Sequence, residues 1–136
     1  MNIVIDTNVF VSSFFGGNPK MVVDLWRTGQ IKICVTNVII EEYVEVLCRI
    51  GLKDPEKKNE LLSLFRDSYF LLFTTKTPKI RLVEDPDDDK FIECAVALRA
   101  DFIVSGDHHL LEIGDYMGIK ILTPKEFLIV FNKKCV

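Results

Sequence analysis

Short, largely apolar runs separated by stretches of helical period constrain this chain more than any other feature. Ile3-Val4-Ile5, Ile31 to Val35, Tyr69 to Phe73, Phe102 to Val104 and Ile119 to Leu122 are too short for core helices. Such runs read as strands with both faces buried. Each is followed or preceded by a segment of helical period, and strands alternating with helices predict a parallel sheet covered by helices. The expectation is a single domain over residues 1–136, a three-layer α/β/α fold with a central parallel sheet of about five strands. A chain of 136 residues buries roughly 68% of its unfolded surface, enough for a core without disulfides or structural metal.

Local capping chemistry marks where the helices begin and end. Asn18-Pro19 and Asp54-Pro55 each place an N-cap acceptor before a proline at the first helical position, and Gly29 and Gly51 stand where helices should stop. Thr123-Pro124-Lys125-Glu126 has the form of a capping box. Thr36 or Asn37 would cap a helix with the apolar stripe Ile39, Ile40, Tyr43, Val44, Leu47 and Ile50. Asp85-Pro86 would open another, with the stripe Phe91, Ile92, Ala95, Val96 and Leu98. Between Lys53 and Lys76 the pattern predicts a helix carrying Leu61, Leu62, Leu64 and Phe65, then an edge strand, with the most mobile part at Asp54 to Asn59.

Composition excludes several classes. Apolar residues at 49% and charged residues at 27% are those of a globular domain, not of a disordered or fibrous one. No apolar run approaches the roughly 20 residues that span a bilayer, so no membrane association is expected. The start, Met1-Asn2-Ile3-Val4-Ile5-Asp6, lacks the basic region and long apolar stretch of a secretory signal. Cys34, Cys48, Cys94 and Cys135 form no C-x-x-C pair, and three of the four fall in segments expected to be buried, which suits reduced thiols in the cytoplasm. A net charge of −3 argues against a broad basic surface of the kind duplex binders use. It leaves room for an acidic site bridged to phosphate by a metal.

Acidic residues recur at one kind of place. Asp6 ends the first strand, Glu41 or Glu42 lies in the first turns after the second, Asp85 to Asp89 begin a helix, and Asp107 follows the strand Phe102 to Val104. In an open parallel sheet all of these lie near the carboxyl edge, where such folds place ligands. Crowded carboxylates need a cation, and oxygen ligands without Cys or His suit Mg²⁺ or Mn²⁺. The chemistry this points to is metal-assisted attack of water on a phosphodiester. Taken singly, an Asp at a helix start is as well explained by capping, and Glu41, Glu42 and Glu45 by a solvated helix face. Asp6 resists that explanation, because it emerges from a buried strand. Helical phase favours Glu42, which has Val38 and Val46 four residues to either side, and Asp88, which falls in line with Phe91, Ile92 and Ala95. Asp85 then reads as the cap and Asp89 as an outer ligand or solvated neighbour.

Four motifs stand in order along almost the whole chain: Asp6-Thr7-Asn8-Val9-Phe10; Thr36-x₅-Glu42-x₂-Glu45-Val46-Leu47; Asp85-Pro86-Asp87-Asp88-Asp89-Lys90-Phe91-Ile92-Glu93-Cys94-Ala95; and Ala100-Asp101-Phe102-Ile103-Val104-Ser105-Gly106-Asp107-His108-His109-Leu110-Leu111. Together they resemble a PIN domain, in the branch grouped with toxin components of toxin-antitoxin systems and related to VapC-type ribonucleases. The resemblance implies a Mg²⁺- or Mn²⁺-dependent endoribonuclease acting on single-stranded RNA and leaving a 5′-phosphate and a 3′-hydroxyl. Its acidic quartet is carried onto Asp6, Glu42, Asp88 and Asp107, with Asp6, Asp88 and Asp107 as metal ligands and Asn8, Ser105 and Asp89 as nearby polar residues. Ser105 stands where many members have Thr, and Asp89 competes with Asp88 for the third position. A homodimer and an antitoxin protein are the partners the resemblance implies.

Other readings stay open at this level. His108 and His109, adjacent and expected to point apart, read as surface residues. Lys20, Arg27, Arg49, Lys53, Lys90 and Arg99 form no cluster that marks an RNA track, and Phe10, Phe14 and Phe15 suit core, dimer or base-stacking contacts alike. A receiver-type phospho-acceptor also gathers acids at this edge, but it needs an Asp after the central strand, and Phe70-Leu71-Leu72-Phe73-Thr74-Thr75 has none. A HAD-like phosphatase needs a second Asp two residues after Asp6, where Asn8 stands. A non-catalytic RNA- or protein-binding module would keep the acids as caps.

Overall fold

The computed structural model describes residues 1–51, 55, 56, 59, 63, 65, 66, 70–81 and 88–134. Strands β1 (Asn2–Ile5), β2 (Lys32–Thr36), β3 (Leu71–Thr74), β4 (Phe102–Val104), β5 (Asp115–Tyr116) and β6 (Ile119–Leu122) form one sheet in the order β3-β2-β1-β4-β6-β5. Every pairing is parallel except that of β5 with β6. Helices α1 (Thr7–Ser12), α2 (Gly17–Arg27), α3 (Asn37–Arg49), α4 (Asp89–Ala97), α5 (His108–Ile113) and α6 (Pro124–Lys134) complete the expected α/β/α layers, with helices on both sides of the sheet.

Burial follows the apolar runs. Ile3, Val4 and Ile5 of β1 are fully buried, as are Ile33, Cys34 and Val35 of β2, so both faces of the central strands are covered. In β6 the pattern alternates, with Ile119 and Ile121 buried and Lys120 exposed, leaving one face wet. Helix α4 lies against β1, β2 and β4, while α2 packs on α6. The ring of Phe10 stacks on that of Tyr43 with centroids 4.1 Å apart. Each such large side chain contributes about 1.5–3 kcal/mol through burial.

The termini of the elements depart from the sequence reading in a few places. Helix α2 begins at Gly17 with Gly16 as its cap, so Asn18 and Pro19 sit inside its first turn. Thr36, not Asn37, caps α3, accepting from the Ile39 N–H at 3.2 Å. Ile50 follows the end of α3 and is exposed, and so is Cys48, whereas Cys34 and Cys94 are buried free thiols. The sixth strand, β5, was not expected. It turns into β6 through Met117 (φ 53°) and Gly118 (φ 86°), a two-residue hairpin that needs left-handed backbone at both positions, and Met-Gly lacks the Asn-Gly or Asp-Gly mark of such turns. Lys53, Asp54, Leu61, Leu62, Leu64, Tyr69, Asp85, Pro86, Asp87 and Cys135 lie outside the described residues. Among the described residues no helix is long and apolar enough to cross a membrane.

Strand order positions the site. From β1 the chain proceeds to β2 and β3 on one side, and β4 then returns to the other side of β1. The reversal falls between β1 and β4, and in open α/β sheets ligands bind outside the carboxyl ends at such a point.

Candidate active site

Ile5 pairs with Val104, so the next residues, Asp6 and Ser105, leave adjacent strands side by side. The Asp6 N–H donates to the Val104 carbonyl at 3.0 Å, extending the ladder by one step. Its carboxylate then serves two partners. Oδ1 accepts from the Val9 N–H at 2.8 Å and caps α1, while Oδ2 accepts from the Ser105 hydroxyl. Ser105 Oγ in turn accepts from the Asp107 N–H at 3.0 Å, and Asp107 caps α5 by accepting from the His109 N–H at 2.8 Å. Asp6 and Ser105 are buried and Asp107 is half-buried, so one hydrogen-bonded unit joins two carboxylates across the switch point.

A second unit meets it from the other side. Glu42, in the second turn of α3, accepts on Oε2 from the hydroxyl of Thr7, the residue after Asp6. Its Oε1 pairs with Lys90 Nζ at 2.7 Å, which ties the start of α4 to α3. Beneath Glu42, the fully buried Tyr43 donates its hydroxyl to the Ile5 carbonyl, holding the end of β1 in place. The chain thus brings Asp6, Glu42 and Asp107 to one edge, with Asp88 and Asp89 immediately before Lys90.

The helical-phase argument for the third acid needs correction on burial. Asp88 is the residue preceding α4, half-buried, with no side-chain bond to the helix start, while Asp89 is the first residue of α4 and only 4% exposed. Asp88 lies outside the regular helix, so a step of 100° per residue does not place it; the interior is taken by Asp89. The signal for Glu42 also differed from the fact. Val38 is exposed and the buried stripe is Ile39, Tyr43 and Leu47, so Glu42 stands at the margin of that stripe.

Thr7 and Lys90 are the partners of Glu42 that the motifs do not reveal. The only sequence signal for either was its place beside a motif acid. Asn8 is exposed in the first turn of α1. His108 and His109 do not point apart as expected: their rings lie tilted at 37° with centroids 4.0 Å apart. Ligand atoms of Asp107, His108 and His109 all fall within 4.8 Å of one another. Phe10 is core, Phe14 half-buried against it, and Phe15 exposed.

Burial pushes the Asp6 carboxyl above its ordinary range, and the nearby Asp107 charge adds to the rise; the Ser105 hydroxyl and the backbone N–H groups of Val9 and Gly106 oppose it. Among the described residues no cation pairs with Asp6, and an ionised carboxylate so placed is in the condition a cation relieves. Asp6 and Asp107, joined through Ser105, offer carboxylate oxygens of the kind a hard divalent ion takes; among the described residues the three ligand atoms that do lie together are those of Asp107, His108 and His109.

The family model for the PIN domain matches residues 2–109 of the chain. The chain is also 30% identical, over 147 aligned positions covering 98% of it and 93% of the relative, to the uncharacterized protein MJ1680 of Methanocaldococcus jannaschii.

Proposed function

The chain belongs to the PIN-domain family of metal-dependent nucleases, and on that premise we propose that it is a Mg²⁺- or Mn²⁺-dependent endoribonuclease of single-stranded RNA. The observation that carries this reading is the bonded unit of Asp6, Ser105 and Asp107 at the switch point, which sets a buried carboxylate near a second one. Asp6, Asp107 and Asp88 would hold the ion, with Asp89 the alternative third ligand, and Glu42 completes the acidic ring. When bound, the ion supplies an acidified water and charge stabilisation at phosphorus. The chain's own residues do the rest. Ser105 and Thr7 hold the Asp6 and Glu42 carboxylates in single orientations, and Asn8 presents an exposed amide where a substrate strand would pass. The products would be a 5′-phosphate and a 3′-hydroxyl. The further roles we propose, a cytoplasmic homodimeric toxin restrained by an antitoxin protein, rest on the motif resemblance.

The test is cleavage of a labelled single-stranded RNA by the full chain in Mg²⁺, in Mn²⁺ and in EDTA. Cleavage in metal only, lowered at least about a hundredfold in Asp6→Asn and Asp107→Asn, is expected. Equal rates in parent and variants would refute the mechanism. Growth arrest on expression, relieved by a neighbouring small gene, is the corresponding test of the toxin role.

A further inference from the structure

Both oxygens of Glu42 are engaged, Oε2 by the Thr7 hydroxyl and Oε1 by the Lys90 ammonium at 2.7 Å. The Lys90 side chain is only 16% exposed, and its Nζ lies 5.7 Å from the centre of the Phe91 ring. An exposed helix-surface pair such as Lys20 with Asp24 contributes little. The Lys90 pair differs, because its positive charge is mostly shielded from solvent and sits on Glu42, whose other oxygen is held by Thr7, the residue after Asp6. A divalent ion held by Asp6 and Asp107 would answer the negative charge of the same acidic ring, of which Glu42 is a member. A lysine, unlike an arginine, is a compact charge on a flexible stem with no bidentate geometry to hold it to one carboxylate.

We propose that Lys90 is a tethered counter-ion of the acidic site. Resting on Glu42 in the RNA-free protein, it opposes entry of the divalent ion, and it transfers to the scissile phosphodiester when RNA arrives. Glu42, besides completing the acidic ring, then holds Lys90 at the site. Metal and RNA binding become mutually reinforcing, since each removes what hinders the other. The inference rests on the nuclease reading above.

The test begins with Mn²⁺ binding to the full chain without RNA, followed by the paramagnetic resonance of the free ion. Lys90→Met should bind Mn²⁺ about tenfold more tightly than the parent, because a neighbouring positive charge is gone. Lys90→Gln, which can still donate a hydrogen bond to Glu42, should do the same, and Lys90→Arg should match the parent. In cleavage assays the two neutral variants should raise KM for RNA about tenfold, with a smaller change in kcat. A lysine that merely braces the fold would give unchanged or weaker Mn²⁺ binding, and that result in both neutral variants overturns the proposal, as does an unchanged KM. Absence of Mn²⁺ binding in the parent itself would instead remove the nuclease reading, and this inference with it.

Discussion

Asp6 serves two ends that pull its carboxyl in opposite directions. As a helix cap and acceptor it is well placed, yet burial raises its pKa. With the folded-state pKa above the unfolded one, the stabilising contribution is full below the ordinary Asp range and is lost as pH rises through the raised value. At neutral pH the ionised group therefore costs the metal-free fold stability. Asp6→Asn, which keeps a capping oxygen, should raise the melting temperature in EDTA by a few degrees, roughly 2–6 °C. It should also abolish the further rise that Mn²⁺ gives the parent. Calorimetry with and without Mn²⁺ checks both signs, and a variant less stable than the parent in EDTA would contradict the argument. Tyr43 offers a second test. Its hydroxyl holds the Ile5 carbonyl one residue before Asp6, so Tyr43→Phe should cost about 1–2 kcal/mol in urea unfolding while leaving the stacked ring in place.

At the scale of elements, capping chemistry was legible in the sequence where it is local. Thr123 and Glu126 exchange the reciprocal bonds of a capping box, both at 3.1 Å, and those bonds hold the Glu126 carboxyl below its ordinary range. A depressed pKa means stability present above the unfolded value and lost as pH falls through the folded one. Glu126→Gln should thus melt slightly below the parent at neutral pH, with the gap closing as pH drops below about 4. What local signals could not supply was long-range fit. Gly29 has φ +78°, and a Cβ there would meet the Phe70 ring at 2.7 Å. From sequence it read only as a helix stop. Gly29→Ala should therefore destabilise by about 1–3 kcal/mol in the same unfolding assay, more than a simple turn glycine would. The burial of Asp89 rather than Asp88 was hidden for a similar reason, since it depends on where the helix begins, and one residue of offset turns a side chain about 100° around the axis.

For the molecule as a whole, the alternation of strands and helices gave the layers, and the carboxyl-edge rule gave the neighbourhood of the acids. The bond from Ser105 to Asp6 needs β1 and β4 side by side, and those from Thr7 and Lys90 to Glu42 need α1, α3 and α4 packed together. A net charge of −3 bears on how RNA is held. Without metal, the chain should bind single-stranded RNA weakly, and raising salt should weaken that binding little, because few phosphate counterions are displaced. Adding Ca²⁺ or Mn²⁺ should strengthen it. Fluorescence anisotropy across a salt series separates this from binding by a basic surface, which would show a steep slope in EDTA.

The bond from Ser105 to Asp6 spans 99 positions of sequence. Whatever chemistry the pocket performs is therefore withheld from the chain during its own synthesis: a ribosome must deliver Asp107 beyond its exit tunnel before the first carboxylate meets its companions. The first carboxylate of the site thus waits for the 99 positions that separate it from Ser105 before its hydrogen-bonded unit can close.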